Sequence, residues 1–404
     1  MDAFSAVELI ASLYLYSTNS PSPSFTRPVE NALLYLKNFL FWSAHDASRV
    51  FLSGGPKLPA IVCLHYSKGK KCAVLHDHIY ATLGLQHRQL IQADYNMPLE
   101  ELYTKVALHP NVRHYNFQNA GLGVSRRVTD LPSWVPDWSV PLNPSPWTLS
   151  HAQGNYSTGG SLPKNLDIEQ VSEKVIRIAG FQEDEVYLLG GHGFTSAGNP
   201  IDVTSILMCF RLLISAFTEP YDILSTEIMV ERMARTWMLD LELRGRTWPT
   251  TESLQSSFRD YVTIELTIHL DKNNDYGIRE EMQGILETIL ERDRAATRFL
   301  PTCRELEQAT REVPQLALNS FFIYDLGNSF YLRRFFIMTK GRMGIASDKV
   351  EFSDAIMVVE NYEWPLLMRR GTEERWLYIS GAYVEGTMHR EALEGNSFGN
   401  IDIE

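Results

Sequence analysis

Cysteine is scarce in this 404-residue chain: only Cys63, Cys72, Cys209 and Cys303 are present. Four thiols spread over such a length cannot form a disulfide scaffold, and a reducing, cytoplasmic compartment is the expectation. A long hydrophobic run is also missing. The longest internal one, Ile206 to Phe217, is interrupted by Arg211 and is far shorter than the roughly 20 apolar residues that a membrane span needs. The apolar stretch between Ala6 and Tyr16 lacks a basic leader and carries acidic Asp2 and Glu8 nearby, which disfavours a cleaved signal. Positive charge is outweighed, with a formal net charge of −12. An acidic surface repels phosphate backbones, so nucleic acid is not expected as a partner. The basic residues Arg333, Arg334, Lys340 and Arg342 are read as solvated faces of strands and turns.

The usual catalytic signatures are missing as well. There is no Gly-x-Ser-x-Gly elbow, no phosphate-binding loop with its Lys-Ser/Thr, no Gly-x-Gly-x-x-Gly and no Cys-x-x-Cys pair. Gly190-Gly-His-Gly193 and Gly121-x-Gly123 are therefore read as turns, and no cofactor is expected. Cys63, His65, Cys72, His76 and His78 bring soft ligands close together in sequence, but their spacing matches no common zinc pattern. Asp137, His389 and Glu391 are weak candidates for acid/base work. Each lies in a turn-rich segment, where a polar side chain usually caps backbone groups.

What remains is the composition of a globular protein, 44% hydrophobic and 21% charged, and long enough for more than one core. The expected class is α+β: a mainly helical middle region with a short strand insertion, closed by a small C-terminal antiparallel β-barrel-like module. The N-terminal 1–75 is read as a helical remnant or extension. It contains a breaker-rich linker, Ser17 to Ser24, and a helix over Val29 to Trp42. Turns follow at Gly54-Gly-Pro56 and Lys68-Gly-Lys-Lys71.

The mainly helical domain spans 76–330. Asp77 stands as N-cap before Ile79 to Leu85, and Gly84 breaks the run. Pro98, Glu100 and Glu101 open a second helix that carries Leu102, Tyr103 and Val106 on one face. Pro132 and Pro136 force Leu131 to Ser139 to be extended, and its two tryptophans are expected to plug a groove between helices. Strands are expected over Lys174 to Gly180 and Val186 to Leu189. Helices are expected over Ile201 to Phe217, Ile223 to Leu243 and Tyr276 to Arg298.

From Tyr331 the period changes, and the stretch to Leu393 is the most legible part of the chain. Short apolar runs at Arg334 to Met338, Ala355 to Val359, Leu366 to Met368 and Trp376 to Ile379 recur about every ten residues. Gly341, Gly344, Glu363 and Gly371 mark turns between them. This β-module is assigned 331–395, with a tail over 396–404.

Several of these segments together resemble the fungal heterokaryon-incompatibility family. The first is His76 to Leu85, with Asp77, Tyr80, Gly84 and Leu85. Asp94 to Tyr103 follows, with Asp94 and Tyr95, and then Leu131 to Ser139, with Trp134, Pro136, Asp137 and Trp138. Val175 to Gly180 is similar to the family's next strand. The close is Arg334-Phe-Phe with Thr339-Lys-Gly341, followed by Tyr383, Gly386 and Met388 in a tail motif that ends at Glu391-Ala392.

The family's N-terminal domain is similar to the TIR signalling fold, and only 75 residues precede His76 here. The effector domain is therefore expected to be absent or reduced. Three positions depart from the family's pattern. Ser353-Asp354 stands where Gly-Asp is usual, Glu385 stands where His is usual, and His389-Arg390 replaces an acidic-glycine pair. The resemblance implies a regulatory protein of nonself recognition and programmed cell death that acts on a protein partner without an enzymatic step of its own. The alternative is an enzyme or accessory factor of fungal specialised metabolism. It would hold an apolar small molecule in a pocket lined by Trp134, Trp138, Tyr103 and the helices around Ile206.

Overall fold

A computed structural model describes residues 60–68, 70–86, 88–123, 126–140, 156–160, 166–192, 203–216, 225–237, 239–240, 251–273, 276–309 and 332–404. The linker at Ser17 to Ser24, the helix over Val29 to Trp42 and the turn at Gly54 to Pro56 lie outside these residues. The chain divides into two units, Met1–Asp94 and Tyr95–Glu404.

In the first unit α1 (Ala60–Ser67) ends at a turn closed by Lys70 N–H on the Ser67 carbonyl. The short α2 (Asp77–Tyr80) follows. Asp77 is not its cap: it is the first helical residue, and His76, already in the right-handed helical region, precedes it without a side-chain cap. The turn has begun earlier, with Asp77 N–H on the Val74 carbonyl. Gly84 lies within a 3₁₀ turn over Leu83–Leu85 and has open space where a Cβ would stand. The Tyr80 hydroxyl donates to the Asp94 carbonyl at 2.7 Å, tying the helix to the end of the unit.

The second unit opens with α3 (Leu99–Leu108), which buries Leu102, Tyr103, Val106 and Ala107 on one stripe, and the single turn α4 (Asn116–Asn119). An eight-stranded sheet then frames the unit. A two-residue β1 (Glu169–Gln170) precedes β2 (Ile176–His192). The expected pair of short strands is thus one strand of 17 residues, bent by register shifts between Gln182 and Asp184 and again beyond Val186. A bend lets one strand serve two neighbours: its first half pairs with β5 and β8, and its second half with β3.

Five helices come next among the described residues: α5 (Val203–Ser215), α6 (Thr226–Trp237), α7 (Thr251–Asn273), α8 (Tyr276–Arg292) and α9 (Cys303–Ala309). The first, second and fourth lie within the stretches expected to be helical. Asp293 caps a 3₁₀ turn over Arg294–Arg298, accepting from Ala295 N–H at 2.9 Å, where the continuous helix was expected to run on. Phe210, Trp237, Phe258 and Tyr261 bind α5, α6 and α7 through aromatic contacts of 5.4 to 6.5 Å.

The chain returns to the sheet with β3 (Arg333–Met338), β4 (Met343–Ser347), β5 (Ala355–Val359), β6 (Leu366–Arg370), β7 (Trp376–Val384) and β8 (Gly399–Ile403). Pairing runs β2-β3-β4-β7-β6-β5 and returns from β5 to β2, so the sheet is ring-like. Val186, Phe336, Met338, Ile356, Leu367, Ile379 and Val384 form its buried core. Gly344 does not mark a turn. It lies within β4, where a Cβ would come within 2.6 Å of the Phe336 ring and 2.8 Å of the Tyr383 carbonyl oxygen.

The strand insertion and the C-terminal module are therefore one sheet, and the five helices enter between its strands β2 and β3. The stretch 396–404, read as a tail, supplies β8, which pairs antiparallel with β2 and meets β7 at Trp376.

Candidate functional site

The segment from Gly121 to Ser139 is irregular because Pro132 and Pro136 cannot donate to a ladder, and its backbone is satisfied by other means. Leu122 and Gly123 N–H donate to the carbonyls of Tyr378 and Ile379 in β7, and Tyr378 N–H donates to the Ser133 hydroxyl. The Arg126 guanidinium spans the carbonyls of Leu131, Pro132, Ser133 and Val135 at 2.8 to 3.1 Å. The Trp134 indole donates to the Lys174 carbonyl at 3.0 Å. The tryptophan segment is thus stitched along the sheet and does not simply wedge between helices. Trp134 and Trp138 are both fully buried.

Asp137 organises this loop. One carboxylate oxygen accepts from Arg127 and Val128 N–H at 2.7 and 2.9 Å, the other from Ser139 N–H and hydroxyl at 2.9 and 2.6 Å. Burial pushes its pKa up, but the Ser139 hydroxyl and the three amides outweigh it and hold the group below the ordinary carboxylate value. A carboxylate with four donors has its proton-accepting capacity committed to the loop.

The tail motif forms a second centre, just past the end of β7 and beside α6. Gly386 turns the chain at φ +74°, and Met388 sulfur receives Val384 N–H at 3.5 Å. Tyr383 and Tyr156 are fully buried with ring centroids 6.0 Å apart, and the Tyr156 hydroxyl donates to the Leu239 carbonyl. Glu385 lies 3.7 Å from the Arg232 guanidinium of α6. Burial pushes the Glu385 pKa up, Arg232 opposes that, and Asp240 adds to it. Arg235 holds Asp240 at 2.9 Å and Glu231 at 2.8 Å, while Arg342 holds the buried Glu183 at 2.5 Å.

His389 and Glu391 are exposed, and the Glu391 carboxylate accepts His389 N–H at 2.6 Å, just ahead of the 3₁₀ turn Glu391–Leu393. They stand in the tail motif, whereas Asp137 serves the loop stitched to the other end of β7. The α6 residues Arg232 and Arg235 escaped sequence reading, although the Glu231–Arg235 pair at helical spacing was visible.

In the first unit, Cys63 and His78 are buried, Cys72 is half-buried and His76 packs on Tyr80 at 5.8 Å. The His65 side chain is not among the described residues. Among those that are, no group of three or more His, Cys, Asp or Glu side chains converges as a metal site would. No described helix is long and apolar enough to cross a membrane.

One open groove of about 540 Å³ runs along α7, bordered by α9 and the Arg294–Arg298 turn. It is lined by Glu252, Gln255, Arg259, Asp260, Arg298 and Glu305, among others. Arg259 pairs with Glu305 at 2.5 Å, and Arg298 with Glu227 at 2.9 Å. The second Glu305 oxygen accepts from Thr302 N–H and hydroxyl.

No family model, no curated protein and no solved structure matches this chain.

Proposed function

We propose that the chain is a recognition protein of the heterokaryon-incompatibility type, one that binds a protein partner and regulates nonself response and cell death without a chemical step of its own. One observation carries this reading: the polar side chains of the resembling motifs are spent on holding the chain's own layers together. Asp137 binds its own loop, Glu391 accepts the His389 N–H two residues back, and Glu385 reaches α6 through Arg232. Side chains used in this way fix the loops that carry them, and fixed loops lower the ordering cost of binding a partner.

The rival enzyme or accessory factor needs room around Trp134, Trp138, Tyr103 and Ile206. All four side chains are fully buried, and the described groove is lined by other residues. The deciding experiment expresses the chain in a fungal host and scores death in fusions between unlike strains. A change in death frequency, with purified protein leaving NAD intact, supports the proposal. Unchanged fusions, or NAD hydrolysis by the pure chain, sink it.

A further inference from the structure

The strand β8 is held by partners far away in the chain. It pairs antiparallel with residues 176–180 of β2, and Ile403 meets Trp376 of β7. Asp402 takes two bonds from the Arg177 guanidinium, at 2.7 and 3.0 Å. Ile401 and Ile403 are buried. Just past the strand, the Glu404 carboxylate accepts from Thr372 N–H and hydroxyl at 2.9 and 3.0 Å, and its main-chain oxygen accepts Ser133 N–H at 3.1 Å. These groups make a slot with a readable specificity: two inward isoleucines, an acid between them facing one arginine, and a second acid after them.

The segment that delivers β8 is built differently. Residues 394–400 are all exposed. Gly395 sits at φ +78° with open space where a Cβ would stand, and a glycine leaves that region for extended backbone without steric cost. Upstream, Arg390 is held at φ +76°, a geometry that costs a residue with a side chain. Seven extended residues reach roughly 24 Å. An exposed hinge beside a strained turn favours exchange of the element it carries. Each bond that holds β8 joins it to β2, to β7 or to the loops beside them, so the same bonds form with the β8 of another copy.

We propose that β8 is an exchangeable strand whose slot takes the β8 of a second copy of this chain, giving a two-fold dimer in which each copy completes the other's sheet. The inference concerns self-association and does not depend on the nonself reading, which the fusion assay tests separately. The monomer and the exchanged dimer share the same bonds, so the hinge and the protein concentration set their balance. A strand on its own short linker competes at an effective concentration on the order of millimolar, and the dimer gains as the protein approaches it.

The test uses full chains and reverses one charge on each side of the slot. Arg177→Asp sets two acids against each other within one chain, and Asp402→Arg sets two cations. Each variant mismatches its own slot, whereas an exchanged pair of the two variants restores both ion pairs. Light scattering should show each variant alone as a monomer and their equimolar mixture as a dimer, at least tenfold tighter than the wild-type dimer. The double variant Arg177→Asp/Asp402→Arg matches itself and should behave as wild type. Wild type should pass from monomer to dimer as its concentration rises. In a dimer of isotopically light and heavy wild-type chains, crosslinking mass spectrometry should join 176–180 of one copy to 399–403 of the other. That last arm stands by itself if thermal melts show that a charge reversal unfolds its chain. A monomeric mixture of folded variants, wild type that stays monomeric, a dimer unaffected by Arg177→Asp, or crosslinks confined to single chains would each overturn the assignment.

Discussion

Arg369 closes on Asp354 with two parallel bonds, Nε to Oδ1 at 2.7 Å and Nη2 to Oδ2 at 2.9 Å. The carboxylate is 1% exposed and also accepts Glu351 N–H at 2.8 Å. The pair joins β6 to the turn before β5, next to the point where Val186 of β2 exchanges hydrogen bonds with Ser353 and Asp354. Arg369→Ala leaves that buried carboxylate with a single donor. Breaking one partner of such a pair costs roughly 3 kcal/mol, which should appear as a lower urea midpoint with an unchanged slope.

Ser353 holds φ at +65°, a region that costs a side chain about 1 kcal/mol or more. Its amide is needed for the bond to Val186, so the strained geometry is kept. Ser353→Gly should relieve it and raise stability by roughly 0.5–1 kcal/mol after the entropy of the unfolded glycine is counted. A lower melting temperature for this variant would show that the left-handed geometry does not strain Ser353.

The Asp137 cap makes stability depend on pH in one direction. Its folded pKa is depressed from the ordinary 3.8, so its contribution is present above that value and is lost as pH falls through the lower, folded one. Asp137→Asn keeps the shape but cannot accept four donors as an anion. The variant should be less stable at pH 7 by about 1–3 kcal/mol, and the difference should shrink in acid. Denaturant melts at several pH values measure this, and a gap that widens in acid refutes it.

Glu385 acts with the opposite sign. Burial raises its folded pKa above 4.5, so the neutral form is favoured in the fold, and relative stability is lost as pH rises through that raised value. Glu385→Gln removes the partly buried charge and its 3.7 Å ion pair with Arg232, whose guanidinium is 32% exposed and stays solvated. Its stability should lie within about 1 kcal/mol of wild type at pH 7, with a flatter profile between mildly acidic and neutral pH. A large loss at neutral pH would mean that the ion pair outweighs desolvation.

The thiols should separate by burial. Cys209 is fully buried with its pKa pushed up to about 12, and burial also raises Cys63 and Cys303. Cys72 is half-buried. A thiol reagent at neutral pH should therefore label Cys72 first and Cys209 only on unfolding, as peptide mass spectrometry can report. Rapid labelling of Cys209 in native protein would contradict the packing of α5 against β2.

Local physics makes part of this protein legible from residue order alone. The recurring apolar runs at β3, β5, β6 and β7 and the amphipathic stripes of α3 and α6 follow from side-chain period. The groove helix α7 escaped, because apolar residues on one side and a polar wall on the other blur its stripe. β4 escaped because Gly344 and Gly341 read alike as turn signals, and only the Phe336 ring facing Gly344 shows that the glycine serves close packing. For the site, sequence placed Asp137, Tyr383 and Glu385 in suggestive segments but could not say what each would touch.

Sequence by itself determined the α+β character, the turn at Gly341 and the irregularity of the tryptophan segment, since propensity, proline geometry and charge are local properties. Only the tertiary structure decided that residues 176–192 form one bent strand, that 399–403 complete its sheet, and that the helices enter between β2 and β3. Those outcomes depend on pairings between residues far apart in the chain, such as Ile176 with Ile403. No local pattern encodes such pairings, because the free energy that selects them arises only when the whole ring of strands closes on its core.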